Sequence, residues 1–136
     1  MAQVSEGALR AVKVEFRRHG LKLAVCRLGA EEAMPAWAAG GGFSAVVRTP
    51  GELSVVCEEG RVPEGVKAER GWGVIELVGP FDFGLTGVLA SVLGPLAEAK
   101  VPIFAISTFD TDWVLIPGEQ LEKAVRALTA AGHNEV

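Results

Sequence analysis

The feature that most constrains this chain is the alternation of strand and helix patterns in its second half. Residues 72–78 form an apolar run typical of a strand, and a turn rich in glycine and proline follows. Apolar residues then recur with the spacing of one helix face. The members of this stripe are Leu85, Val88, Leu89, Val92, Leu93 and Leu96. Pro95 lies inside the stripe and predicts a kink or break near Gly94, because proline lacks the N–H that a helix interior needs.

Two further strands and a second helix complete this half. Residues 102–108 and 112–116 read as a hairpin, and a second amphipathic helix with its buried stripe at 121–128 ends at Gly132. Only four residues follow Gly132, too few for a full closing strand. We therefore expect the N-terminal strand or a partner chain to cover that edge of the sheet.

The first half shows a shorter version of the same order. Residues 12–16 alternate between apolar and charged side chains, and 21–28 form a continuous apolar strand. Residues 30–39 favour a helix, which the following glycines end. The segments 43–48 and 53–57 then predict a second hairpin, and the polar residues 58–71 read as a connection between the two halves.

The two predicted hairpins resemble each other. Each has an aromatic start, a threonine at the turn and an acidic residue before an apolar strand. Glu52 and Asp112 are 60 positions apart, whereas Thr49 and Thr108 are 59 apart and Phe43 and Phe104 are 61 apart, so the register of the match is loose. The pattern indicates a duplicated unit, with chance similarity between two hairpins as the alternative.

Specific segments are similar to one branch of the ACT domain family. Residues 79–83 with 86–90 resemble the strand-to-helix loop of that branch, and 106–116 resemble its hairpin. The branch contains short bacterial proteins and is related to the cytosolic arginine sensors and to the regulatory region of aspartate kinase. The resemblance implies an α+β, ferredoxin-like fold (βαββαβ), with two tandem ACT-like units that have antiparallel sheets and helices on one face.

We expect three segments in the chain: an N-terminal extension at 1–20, a first and shorter ACT-like unit at 21–66, and a second unit at 67–136. The resemblance further implies a small-molecule regulatory module, with an amino acid as its ligand, at an interface between ACT units. A pure dimerisation or interaction module is the first alternative, and a metal-dependent enzyme is the second.

The resemblance places the ligand between the strand-to-helix loop and the second hairpin. A helix N-terminus offers unpaired N–H groups to a carboxylate, and Asp112 can pair with an ammonium group. Turn chemistry is the alternative role for Asp112. The loop position that is acidic in the arginine sensors is Leu85 here, so a smaller or uncharged amino acid fits as well as arginine. The predicted ligand-binding residues are Asp82, Phe83, Gly84, Leu85, Thr86, Gly87, Ser107, Thr108, Phe109 and Asp112.

Composition narrows the remaining classes of function. With 13 basic and 17 acidic residues and a net charge of −4, the chain shows no concentrated basic face for nucleic acid. No apolar run reaches the roughly 18 residues that a membrane span needs. We therefore expect a cytoplasmic protein that binds neither nucleic acid nor membrane. We expect it to form a homodimer and to act on a protein target that the sequence does not identify.

Catalysis and metal binding find little support in the sequence. Cys26 and Cys57 lie in strand-like runs and read as buried thiols, and neither His19 nor His133 has ligand spacing. Residues 110–112 form an Asp-x-Asp pattern, which arises often by chance. We predict no cofactor, no metal and no enzymatic activity.

Overall fold

The computed structural model describes residues 12–79 and 87–136, which form strands, two α-helices and short 3-10 turns. The strands are β1 (Glu15–Leu28), β2 (Ser44–Arg48), β3 (Leu53–Glu58), β4 (Lys67–Leu77), β5 (Phe104–Ser107), β6 (Asp112–Pro117) and β7 (Asn134–Glu135). The helices are α1 (Val88–Glu98) and α2 (Leu121–Ala130). The 3-10 turns are Ala36–Ala38, Glu59–Arg61 and Gly118–Gln120. The predicted α+β class with a ferredoxin-like, antiparallel sheet is confirmed.

The chain divides into two compact units that are nested in sequence. One consists of Gly20–Gly73, and the other combines Val74–Val136 with the residues up to His19. Strands β1 and β4 each begin in one unit and end in the other. The boundaries expected from the sequence, at 20/21 and 66/67, stay a prediction. β4 already begins at Lys67, so the predicted connection at 58–71 is shorter than expected.

The unit containing Val74–Val136 has its helices packed on one face of the sheet. Its strands run in the order β1-β4-β6-β5, and β7 pairs with β1. Side chains alternate across a strand, so every second residue of β4 and β6 faces the helices. The shared core is made of Phe16, Ile75, Leu77, Val88, Val92, Leu96, Val114, Ile116, Ala124 and Leu128.

The expectation that no full closing strand follows α2 and that the N-terminal strand covers this edge is confirmed, because β7 has only two residues and β1 lies beside β4 in the sheet. β7 pairs in parallel with the start of β1, with Glu15 opposite Asn134 and Phe16 opposite Glu135. The backbone N–H of Val136 donates to the Phe16 carbonyl at 2.9 Å. Two residues suffice here because Arg18 also binds the Glu135 carboxylate, with an Nε–Oε2 distance of 2.6 Å.

Of the two effects predicted for Pro95, the break is wrong, since α1 continues without interruption from Val88 to Glu98, and the kink stays a prediction. Proline leaves the carbonyl of Ser91, four residues earlier, without its helical partner. The imidazole Nε2 of His133 lies 2.8 Å from that carbonyl and donates to it. A distant side chain thereby replaces the bond that Pro95 removes.

The unit Gly20–Gly73 contains antiparallel strands and no α-helix among its residues, all of which the structure describes. The helix predicted at 30–39 is wrong, because only Ala36–Ala38 form a 3-10 turn. The Glu32 carboxylate accepts a hydrogen bond from the backbone N–H of Gly29. Pro35 then disfavours helical backbone at Met34, so a helix cannot extend through this segment.

A second small core lies within this unit. Its buried members are Ala24, Cys26, Ala38, Leu53, Val55, Cys57 and Val62. Cys26 lies opposite Val55, and Cys57 lies opposite Ala24, so the two free thiols are diagonal neighbours and do not face each other directly. Within the described part of the chain, no helix is long and apolar enough to cross a membrane.

Candidate ligand-binding site

The β5–β6 hairpin brings three of the predicted site residues together. Ser107 and Asp112 are directly opposite each other at the end of the ladder. The Ser107 hydroxyl donates to Oδ1 of Asp112, which orients the carboxylate. The second carboxylate oxygen accepts no hydrogen bond from the residues described, so it can accept one from a ligand.

Thr108 closes the turn with its backbone and its side chain. Its N–H donates to the Thr111 carbonyl at 2.8 Å, and its hydroxyl donates to the same carbonyl at 2.9 Å. The Thr108 hydroxyl also accepts from the N–H of Thr111 at 3.0 Å. Its hydrogen-bonding capacity is thus used within the turn. Phe109, at the tip, is 78% exposed.

Asp112 lies on the face of the sheet that the helices cover. Asp112, Val114 and Ile116 share one face of β6, because successive side chains alternate. Val114 and Ile116 are buried in the core formed with α1 and α2. The Asp112 carboxylate therefore lies at the hairpin end of that core, where it is only partly buried.

Helix α1 begins at the same end of the sheet. Its N-cap is Gly87, with φ of 82°, a left-handed conformation that glycine adopts without strain. No side chain among the described residues caps this helix, and its first turn carries no acidic residue. The chain leaves β4, runs back along the sheet as α1 and returns as β5, so the start of α1 and the β5–β6 turn share one end.

The other predicted contacts cannot be placed. Asp82, Phe83, Gly84, Leu85 and Thr86 lie outside the described residues. The structure thus brings Ser107, Thr108 and Asp112 together and positions Gly87 at the helix start. The ligand-binding role of all ten residues stays a prediction.

The opposite face of the hairpin holds residues that the sequence did not identify as part of a site. The indole Nε1 of Trp113 donates to the Thr111 hydroxyl at 2.8 Å. The rings of Trp113 and His19 are 5.0 Å apart between centroids and tilted by 37°. The Nε2 atom of His19 donates to Oε1 of Glu76 at 2.9 Å, and Arg17 lies 3.8 Å from the same oxygen. Strand periodicity was the available signal, because it places Thr111 and Trp113 on one face.

The described residues offer binding groups and no assembled metal site. Within 12–79 and 87–136, no group of three or more His, Cys, Asp or Glu side chains could hold a metal ion. Burial raises the pKa of Cys26 to about 11, so its thiol is a poor nucleophile at neutral pH. An oriented carboxylate at the same end of the sheet as a helix N-terminus is suited to a ligand that carries both a cationic and an anionic group.

Two family models and a solved structure are similar to most of this chain. A model of the ACT domain matches residues 67–130, and a model of an N-terminal domain matches residues 22–65. Protein Atu0741 from Agrobacterium tumefaciens has a crystal structure that is similar with a TM-score of 0.87 and 40% identity. That alignment covers 92% of this chain and 93% of the other.

Two further proteins are less similar in sequence. The regulatory subunit of aspartate kinase from Thermus flavus shares the fold, with a TM-score of 0.62 and 16% identity over 88% of this chain and 99% of that one. The human protein named cytosolic arginine sensor for mTORC1 subunit 1 is 33% identical over 58 residues. This match covers 42% of our chain but only 18% of the sensor. The hairpin, the helix order and these matches agree, and residues 67–130 of the chain form a domain of the ACT family.

Proposed function

We propose that this chain is a regulatory module that senses an amino acid and performs no chemistry on it. The observation that carries the proposal is the Asp112 carboxylate, which Ser107 orients at the end of the sheet where α1 begins. An α-amino acid carries the two charges that such a site can bind at once.

The binding geometry follows from the charges. The ligand ammonium donates to the second oxygen of Asp112, a charge-assisted bond that contributes about 1.5–3 kcal/mol. The ligand carboxylate accepts from backbone N–H groups at the start of α1, where the helix dipole is positive. Gly87 lacks a side chain and so leaves the backbone accessible at that point.

The relatives support a regulatory role for such a site. One is named an arginine sensor, and others are regulatory subunits of aspartate kinase. The chain spans only 18% of the sensor's length, so the sensor's ligand is not transferred to this chain. Leu85 stands at the loop position that is acidic in the arginine sensors. We therefore propose an amino acid as the ligand without restricting it to arginine.

The test is thermal unfolding with each of the twenty amino acids at millimolar concentration. A ligand at about one hundred times its Kd adds ~2.7 kcal/mol of stability, which raises the midpoint by several degrees. Asp112→Asn should abolish this rise. Asp110→Asn removes a carboxylate from the same turn, outside the Ser107–Asp112 pair, and should respond as the wild type does. A response that survives in Asp112→Asn would refute the assigned site.

We further propose that the module acts as a cytoplasmic homodimer, with the ligand at an ACT–ACT interface and an effect on a separate protein target. Helix α1 carries no charged residue from Val88 to Ala97. Its exposed positions Ala90, Gly94 and Ala97 are small and apolar. A helix that is apolar all round is typically covered on every side, and a second copy would cover this face.

Light scattering at micromolar concentration tests the dimer. A Cβ at Gly94 or at Gly60 meets no atom within 4 Å, so a glutamate can be placed at either position without a clash at its Cβ. Gly94→Glu should yield monomers, whereas Gly60→Glu, on the other unit, should stay dimeric. A wild-type protein of monomeric mass would refute the dimer. Dimers with no response to any amino acid would favour an interaction module instead.

A further inference from the structure

We infer that Thr111 and Trp113 are positioning residues that fix the direction of the Asp112 carboxylate for its ligand. The inference rests on the proposed function of Asp112. Neither residue was part of the predicted site. Both lie on the opposite face of the hairpin from Asp112, so they act through the backbone and touch no ligand.

The hydrogen bonds between these residues run in one direction. The Trp113 indole has only a donor, so the Thr111 hydroxyl accepts from it at 2.8 Å. The Thr111 hydroxyl then donates to the hydroxyl of Thr108, 2.8 Å away. The Thr108 hydroxyl in turn donates a hydrogen bond to the Thr111 carbonyl at 2.9 Å. In this series of hydrogen bonds, the group that accepts the hydrogen of each hydroxyl fixes the orientation of that hydroxyl.

The β2–β3 hairpin shows that the turn does not need this arrangement. Thr49 closes that turn in the same way: its N–H donates to the Glu52 carbonyl at 2.9 Å, and its hydroxyl accepts from the Glu52 N–H at 3.2 Å. By these bonds Glu52 occupies the position of Thr111, and Ser54 that of Trp113. The turn closes without a hydroxyl at the first position or an indole at the second. Thr111 and Trp113 therefore do something beyond closing the turn.

Trp113 is itself anchored to neighbouring strands. Its ring lies 5.0 Å from the ring of His19 on β1, and His19 bonds to Glu76 on β4 at 2.9 Å. Asp112 lies between two residues whose side chains are joined to each other and held against the sheet. Because consecutive side chains in a strand point to opposite faces, fixing 111 and 113 also fixes the direction of 112.

The test compares Thr111→Val, Thr111→Ser and Trp113→Phe with the wild type against the panel of twenty amino acids. Valine keeps the shape of threonine but removes the hydroxyl, and serine keeps the hydroxyl. Phenylalanine keeps an aromatic ring, smaller than the indole, and removes the N–H. We expect Thr111→Val and Trp113→Phe to weaken amino-acid binding about three- to tenfold, the loss of one hydrogen bond. Thr111→Ser should bind as the wild type does.

Two controls separate positioning from stability. Unfolding midpoints without ligand should match between Thr111→Val and Thr111→Ser, and the Trp113 indole N–H signal in NMR should shift in Thr111→Val only. Equal binding by all four proteins would overturn the inference and leave the proposed function standing. The inference would also be overturned if Thr111→Val and Trp113→Phe both had a lower ligand-free unfolding midpoint and their binding weakened in proportion to it. A wild type that binds no amino acid would refute the proposed function, and the inference with it.

Discussion

His133 is a buried polar residue whose two ring nitrogens both have backbone partners. Its side chain is 4% exposed. Nδ1 accepts from the N–H of Val14 at 3.1 Å, so Nε2 carries the hydrogen that reaches the Ser91 carbonyl. One imidazole therefore joins the segment before β1 to the carbonyl that Pro95 leaves unpaired. Compensation of this kind over 42 positions is invisible to a local reading of the sequence.

We predict that His133 and Pro95 are energetically coupled. His133→Ala leaves two buried backbone groups without partners, which should cost about 1–3 kcal/mol for each group. In a Pro95→Ala background, residue 95 regains an N–H for the Ser91 carbonyl, and the cost of His133→Ala should fall by about 1 kcal/mol. Urea unfolding of the four proteins measures this coupling. Strictly additive free energies would contradict the assigned bond.

The two cysteines behave as core residues at the same scale. Cys57 is fully buried and Cys26 is 1% exposed. Burial raises the pKa of both thiols, that of Cys26 to about 11. The protonated thiols therefore stabilise the fold fully below the unfolded pKa of about 8.5, and this contribution is lost as the pH rises towards 11.

We predict that neither thiol reacts with Ellman's reagent in the native protein at pH 8. Labelling should require unfolding and should be about 10³-fold or more slower than in urea, given a free energy of unfolding of about 5 kcal/mol. Both thiols should label at once when the protein is denatured. Native labelling within seconds would show that the unit Gly20–Gly73 opens locally.

At the scale of elements, an ion pair supplements the backbone hydrogen bonds that hold strand β7 against β1. The Arg18 guanidinium binds both oxygens of Glu135, at 2.6 and 3.1 Å, and lowers the pKa of that carboxyl. A lowered pKa contributes stability above the unfolded value of about 4.3, and the contribution is lost as the pH falls through the folded value. Arg18 is 35% exposed, so solvent reduces the effect.

We predict that Glu135→Gln slightly lowers the free energy of unfolding, by an amount that depends on pH. At pH 7 the variant should lose less than about 1 kcal/mol of unfolding free energy relative to the wild type. The difference should shrink below pH 4, where the wild-type carboxylate also becomes protonated. Chemical denaturation across this pH range provides the measurement, with Glu64→Gln, an exposed residue of the other unit, as the control. A difference that stays constant with pH would exclude the ion pair as the cause.

Elements with strong local signals could be predicted from the sequence, and elements set by distant contacts could not. The stripe of α1 and the β5–β6 hairpin carry their own periodicity and turn residues, and both are confirmed. The helix expected at 30–39 failed because Glu32 bonds locally to Gly29 ahead of Pro35. β7 has only two residues, and its partner lies 119 positions away, so no local pattern indicates it.

The register between the two hairpins also needed the structure. The sequence offered offsets of 59, 60 and 61, and the acidic residues Glu52 and Asp112 suggested 60. The matching threonine bonds and strand pairings assign 59, so the counterpart of Asp112 is Leu53 and that of Ser107 is Arg48. The second hairpin itself was predicted correctly, but the apparent acidic repeat was an error of one residue.

At the scale of the whole molecule, this register predicts one ligand per chain. Leu53 is fully buried in the core of its own unit, and Arg48 donates to the carbonyl of Ala30. The first hairpin therefore offers no carboxylate where the second offers Asp112. Isothermal titration with the amino acid that raises the midpoint should give a stoichiometry of one per chain, and Asp112→Asn should remove all of the heat. Two equivalents per chain would mean that a second site exists and is built from different residues. Ligand binding would then not require a carboxylate at the hairpin position of Asp112.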